Sequence, residues 1–95
     1  MPERLSDEQL RDALASLPEW HSDASALRRT VELPDFPTAI EAVRKVADVA
    51  EQMNHHPDID IRYRMLTFVC STHSAGGVTE FDAQLAHRID EIVGG

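Results

Sequence analysis

Cysteine occurs once in this chain of 95 residues, at position 70, and aromatic side chains occur only five times. A lone Cys70 cannot close an intramolecular disulfide and offers no thiolate cluster for zinc, which fits a reducing compartment and leaves stability to packing. Basic residues are also scarce. Nine Lys and Arg against seventeen Asp and Glu give a formal net charge of −8, so the long-range field opposes phosphate backbones and anionic lipid. Nucleic acid and membrane surfaces are therefore not expected partners. No run approaches the roughly 20 uninterrupted apolar residues of a membrane span, and Met1-Pro2-Glu3-Arg4 lacks a basic region followed by an apolar signal core. These absences lead us to expect a cytoplasmic protein with one domain over residues 1–95. Histidine, by contrast, is as frequent as all the aromatics together, with five copies.

Three helices are legible. Ser6 and Gln9 form a capping box between Leu5 and Leu10, and the stripe Leu10, Ala13, Leu14, Leu17 follows until Pro18. Thr38 and Glu41 form a second box, after which Ile40, Val43, Ala47, Ala50 and Met53 recur at helical spacing to about Asn54, because Pro57 disfavours helical dihedrals at His56. Thr79 and Asp82 open the third, with Phe81, Leu85, Ile89 and Ile92 as its stripe and Gly94 as its stop. Between the first two helices Leu27, Val31 and Leu33 alternate with Arg28, Thr30 and Glu32, broken only by Arg29. That is a strand, and Trp20 opens a shorter one before it.

Residues 58–72 read as a hairpin. Ile59, Ile61 and Tyr63 alternate with polar residues, and after Met65 the apolar phase switches to Leu66, Phe68 and Cys70. A two-residue loop at Arg64-Met65 pairs Tyr63 with Leu66, Ile61 with Phe68 and Ile59 with Cys70 on one face, although Arg-Met is unusual chemistry for a tight turn. The order α-β-β-α-β-β-α predicts an α+β domain: a four-stranded antiparallel sheet with three helices on one face. In that register His56 stands opposite His73 with β-carbons about 5 Å apart, and His55 is adjacent. Glu51, four residues before His55, is placed to orient that imidazole if the helix persists that far. Gly76-Gly77 would let the neighbouring loop approach a ligand closely. Convergent imidazoles beside a carboxylate suit proton transfer near neutral pH. Zinc is disfavoured, because adjacent histidines diverge along an extended chain. Asp82 reads as a helix-capping acid, Trp20, Phe36 and Phe81 as core, Arg28-Arg29 as a solvated or subunit-facing pair, and His87 as exposed.

The stretch Glu51-Gln52-Met53-Asn54-His55-His56-Pro57, with Tyr63, then Ser71-Thr72-His73-Ser74-Ala75-Gly76-Gly77-Val78-Thr79 and Asp82, resembles the pterin-4a-carbinolamine dehydratases. The resemblance extends more weakly over Trp20, the Ala26–Phe36 strand pattern and Leu85-Ala86; at Arg64-Met65 the family usually has Asn then Lys. It implies removal of water from 4a-hydroxytetrahydropterin to give quinonoid dihydropterin, in recycling the cofactor of aromatic amino-acid hydroxylases. By the same resemblance His55, His56 and His73 are the site histidines, with His55 and His73 in proton transfer and His56 holding the pterin. Glu51 takes an orienting role, and Pro57, Thr72 and Asp82 lie structurally near the site. No metal or bound cofactor is implied. The oligomer implied is a homodimer or homotetramer, a hydroxylase is the functional partner, and the alternative is a non-catalytic pterin-binding or protein-binding module like the family's dimerisation cofactors.

Overall fold

The computed structural model describes residues 3–23 and 25–94. Along the chain these form α1 (Asp7–Ala15), β1 (His21–Asp23), β2 (Ala26–Glu32), α2 (Phe36–Met53), β3 (Asp58–Arg62), β4 (Met65–Cys70), a single 3-10 turn at His73–Ala75, and α3 (Glu80–Val93). All strand pairs are antiparallel and the sheet order is β1-β2-β4-β3. Leu27 of β2 and Leu66, Phe68 and Cys70 of β4 point to one face. There they meet Ala39, Ala42, Val46 and Ala50 of α2 and Leu85, Ala86 and Ile89 of α3. Leu17 and Trp20 close the core beyond α1. The small residues of α2 allow close approach to the sheet, while Arg28 and Thr30 on the opposite face stay exposed. The expected architecture is thus the one observed.

Local details differ from the expectation in ways that matter for the site. The hairpin pairs Ile59 with Phe68, Ile61 with Leu66 and Arg62 with Met65, so its loop is Tyr63-Arg64 and the register is two residues away from the expected one. A shift of two preserves which face each side chain occupies, so apolar pairing alone could not distinguish the two. Tyr63 takes φ +55° to make the turn, and its exposed ring stacks on Phe36, with centroids 6.4 Å apart. Phe36 is therefore exposed and not core. Asp35, not Thr38, caps α2: its carboxylate accepts from the Thr38 backbone N–H at 2.8 Å, and Pro37 fits the first turn, where no N–H partner is needed. Arg29 does not break the strand pattern. It shares the inner face with Leu27 and is buried, its guanidinium donating to Asp90 of α3 at 2.5 Å while the Trp20 indole donates to the same oxygen at 2.8 Å.

Candidate active site

The site starts where α2 stops. Asn54 takes the left-handed conformation, φ 51° and ψ 43°, and the His55 backbone N–H returns to the Ala50 carbonyl at 3.0 Å. Asparagine tolerates this conformation because its short polar side chain adds little steric clash. The reversal sends two consecutive histidines to different partners. His55 turns inward to α3, where its Nε2 lies 2.5 Å from Asp82 Oδ1, and His56 swings back over the last turn of α2, where its Nε2 lies 2.8 Å from Glu51 Oε1. Glu51 thus holds His56 and not His55, because the helix ends at Met53 and the four-residue spacing no longer applies at His55.

Asp82 is fully buried and its two oxygens are completely used. Oδ2 accepts from the Thr79 backbone N–H and from the Thr72 hydroxyl, each at 2.8 Å, and Oδ1 faces His55. Because the Thr72 proton goes to Asp82, the Thr79 hydroxyl, 2.8 Å from Thr72 Oγ1, must donate to it. A carboxylate surrounded by donors needs a proton on the facing imidazole nitrogen. The tautomer with its hydrogen on Nε2 matches that acceptor. Asp82 remains the helix-capping acid expected of it, and its second oxygen also fixes the ring; a residue at the third position of a helix beside a histidine-bearing loop was the signal.

His73 follows Thr72 directly. Thr72 and Gly77 exchange backbone hydrogen bonds, at 2.9 and 3.3 Å, closing a tight loop that presents His73 at the surface. Gly76 turns that loop with φ +74°, and a β-carbon at Gly77 would meet the side chain of the exposed Arg4, which would have to move aside. The observed register places His56 beyond the β3–β4 ladder, not opposite His73. Even so, residues 54–56 and 71–74 line one open cavity of about 350 Å³, so all three histidines share a cleft. A larger depression of about 730 Å³ on the outer sheet face holds no histidine. Pro57, joined through a trans peptide, leads from His56 into β3. Phe81, expected in the core, is 43% exposed and packs against His55 with ring centroids 5.9 Å apart. His87 is exposed beside Ser16, away from the cleft. Among the described residues no group of three His, Cys, Asp or Glu side chains is arranged to hold a metal ion, and no helix is long and apolar enough to cross a membrane.

An α+β sheet carrying a cleft of three histidines, one anchored by a buried carboxylate, holds groups able to give and take protons near neutral pH. Residues 3–92 match the family described as Pterin 4 alpha carbinolamine dehydratase, and the chain belongs to that family. Proteins of Mycolicibacterium smegmatis and Nocardia farcinica, both provisionally named pterin-4-alpha-carbinolamine dehydratases, are each 53% identical to it. The alignments cover 94% and 95% of this chain and 95% of each relative. A crystal structure described as a transcriptional coactivator/pterin dehydratase from Brucella melitensis superposes with a TM-score of 0.94 at 32% identity, covering 97% of this chain and all of that one. A pterin dehydratase-like protein identified as a RuBisCO assembly factor in the alpha-carboxysome shares the fold, with a TM-score of 0.66 at 16% identity over 80% of this chain and 88% of its own.

Proposed function

We propose that this protein dehydrates 4a-hydroxytetrahydropterin to quinonoid dihydropterin, with His55 and His73 transferring protons and His56 positioning the pterin. The observation that carries the reading is the buried Asp82–His55 bond opening onto the cleft shared with His56 and His73. In the reaction the C4a–O bond breaks as the N5 lone pair forms a C4a=N5 double bond; the departing hydroxyl takes a proton and leaves as water, and the N5 proton passes to a base. Two imidazoles on one cleft supply both roles. His55 suits the base: Asp82 holds its Nε2 hydrogen and would stabilise the imidazolium formed when Nδ1 takes the N5 proton. His73, on the exposed loop, then serves as the acid at the leaving hydroxyl. No metal or cofactor enters these steps.

On this reading the protein works in tetrahydropterin recycling beside an aromatic amino-acid hydroxylase, and we propose the cytoplasm as its compartment. β1 and β3 leave the sheet with two open edges, which supports assembly as a homodimer or homotetramer. Sedimentation equilibrium giving a monomer mass at micromolar concentration would rule that out. A second reading, a binding module without turnover, draws on the relative described as an assembly factor.

Stopped-flow absorbance on 4a-hydroxypterin generated in situ separates the two readings. His55→Ala and His73→Ala should each lower kcat by about 10²–10⁴-fold, the exposed His73→Ala with folding intact and His55→Ala with a loss of stability as well, since it leaves the buried Asp82 Oδ1 unpaired. Asp82→Asn, which keeps the shape but removes the charge behind His55, should lower kcat at least tenfold. His56→Ala and Glu51→Gln should act mainly through KM, and His87→Ala should be silent. Wild-type protein that leaves the spontaneous dehydration rate unchanged would refute the catalytic reading.

A further inference from the structure

Five aromatic side chains are available to this chain, and four are already committed. Trp20 and Phe68 are buried in the core, and Phe36 and Tyr63 stack on each other at the hairpin end of the sheet. Phe81 is left, the one aromatic among the described residues that is both exposed, at 43%, and packed on a residue of the cleft. Its place on α3 explains why. The buried stripe of that helix is Asp82, Leu85, Ala86 and Ile89, and Phe81 lies at its border, so packing against the core does not account for the ring. Phe81 and Asp82 are consecutive and grip the same imidazole: Asp82 binds its Nε2 edge, and the Phe81 ring leans on it at 51°. The cleft itself is polar, lined by Asn54, Ser71, Thr72 and Ser74 beside the histidines. Such a lining hydrogen-bonds the edge of a fused bicyclic ring and leaves its apolar face exposed to water.

We propose that Phe81, which adjoins the cleft through its contact with His55 and stands outside the cavity's own lining, is a specificity residue that takes one face of a planar heterocycle seated next to His55. This rests on the pterin reading above and adds to it the residue that recognises ring planarity. Aromatic faces attract flat heterocycles through dispersion and offset stacking, and the contact asks nothing of the ring's substituents.

The test is direct titration of oxidised biopterin, followed by its own fluorescence, alongside dehydration kinetics. Phe81→Leu and Phe81→Ala should weaken biopterin binding by about tenfold and raise KM in parallel, with kcat within about twofold. Phe81→Tyr should restore both, since it keeps the ring. The residue is exposed, so all three variants should fold, as circular dichroism will verify. If Phe81→Leu binds biopterin as tightly as wild type, planarity is not read here and the proposal fails. A fall in kcat with unchanged binding also overturns it, because the ring then only props His55. Wild-type protein that binds no biopterin overturns the pterin reading and this inference together, whereas wild-type binding without turnover removes only the catalytic step.

Discussion

Asp82 satisfies a helix end and a histidine with one carboxylate, and the two duties compete for nothing because they use different oxygens. Its reach extends to Cys70. The thiol is pushed up from its ordinary value, first by burial and then by the nearby Asp82 and Asp58 carboxylates, so it stays protonated throughout the range in which proteins work. A protonated, buried thiol is a poor nucleophile. Native protein at pH 8 should therefore resist iodoacetamide, with full alkylation appearing only in denaturant; rapid labelling of the folded chain would contradict this. The residue scale is also where sequence reading ran furthest. His55, His56 and His73 were identifiable as a cluster, although through a register two residues from the observed one, and Thr72 and Asp82 as their neighbours only through the family resemblance. Which carboxylate serves which histidine was not, because that depends on a single backbone reversal at Asn54.

That reversal belongs to the end of α2, an element whose two termini were read differently. Helical spacing and Pro57 indicated the end within a residue, but nothing in the spacing marks a left-handed Asn54. Asn54→Gly should leave stability and activity nearly unchanged, whereas Asn54→Ala should cost about 1 kcal/mol in urea denaturation and lower activity further, by misdirecting both histidines. Equal behaviour of the two variants would show that the conformation does not steer the pair. At the other end, the Thr38 and Glu41 box competed with Asp35, and Asp35 won because Pro37 belongs inside the first turn. Hydrogen bonds from Thr38 lower the Asp35 pKa below its ordinary value. A depressed carboxylate stabilises the fold above the unfolded pKa and loses that contribution as pH falls through the folded one. Asp35→Ala should thus melt below wild type at pH 7, and the gap should close as acid protonates the carboxylate; a gap independent of pH would point to a cause other than charge.

For the molecule as a whole, alternation and capping signals carried the fold class, since each face of each element has one compatible neighbour. The hairpin register escaped because a two-residue slip keeps every apolar side chain on the inner face. Arg29 escaped because a buried guanidinium needs a partner 61 residues away, which local pattern cannot show. That pair ties α3 to β2. Removing one member strands a charge out of water, so Asp90→Ala should cost about 3–5 kcal/mol by denaturant titration. A cost below about 1 kcal/mol would mean that Arg29 reaches solvent once released.

The β2–β4 ladder has a kinetic corollary. Every residue assigned to the cleft lies between the last turn of α2 and the first turn of α3, and β3 and β4 can zip from a two-residue turn within microseconds. The free edge of β4 has no partner strand until Glu32 finds Met65 and Leu27 finds Cys70, which closes a loop of more than thirty residues. Closing it is entropically dearer than turning the hairpin, and chains dominated by such distant pairings fold more slowly. A nascent or refolding chain would thus acquire the cleft's local shape before it acquires the rigid floor beneath it, and the return of activity should track the central ladder.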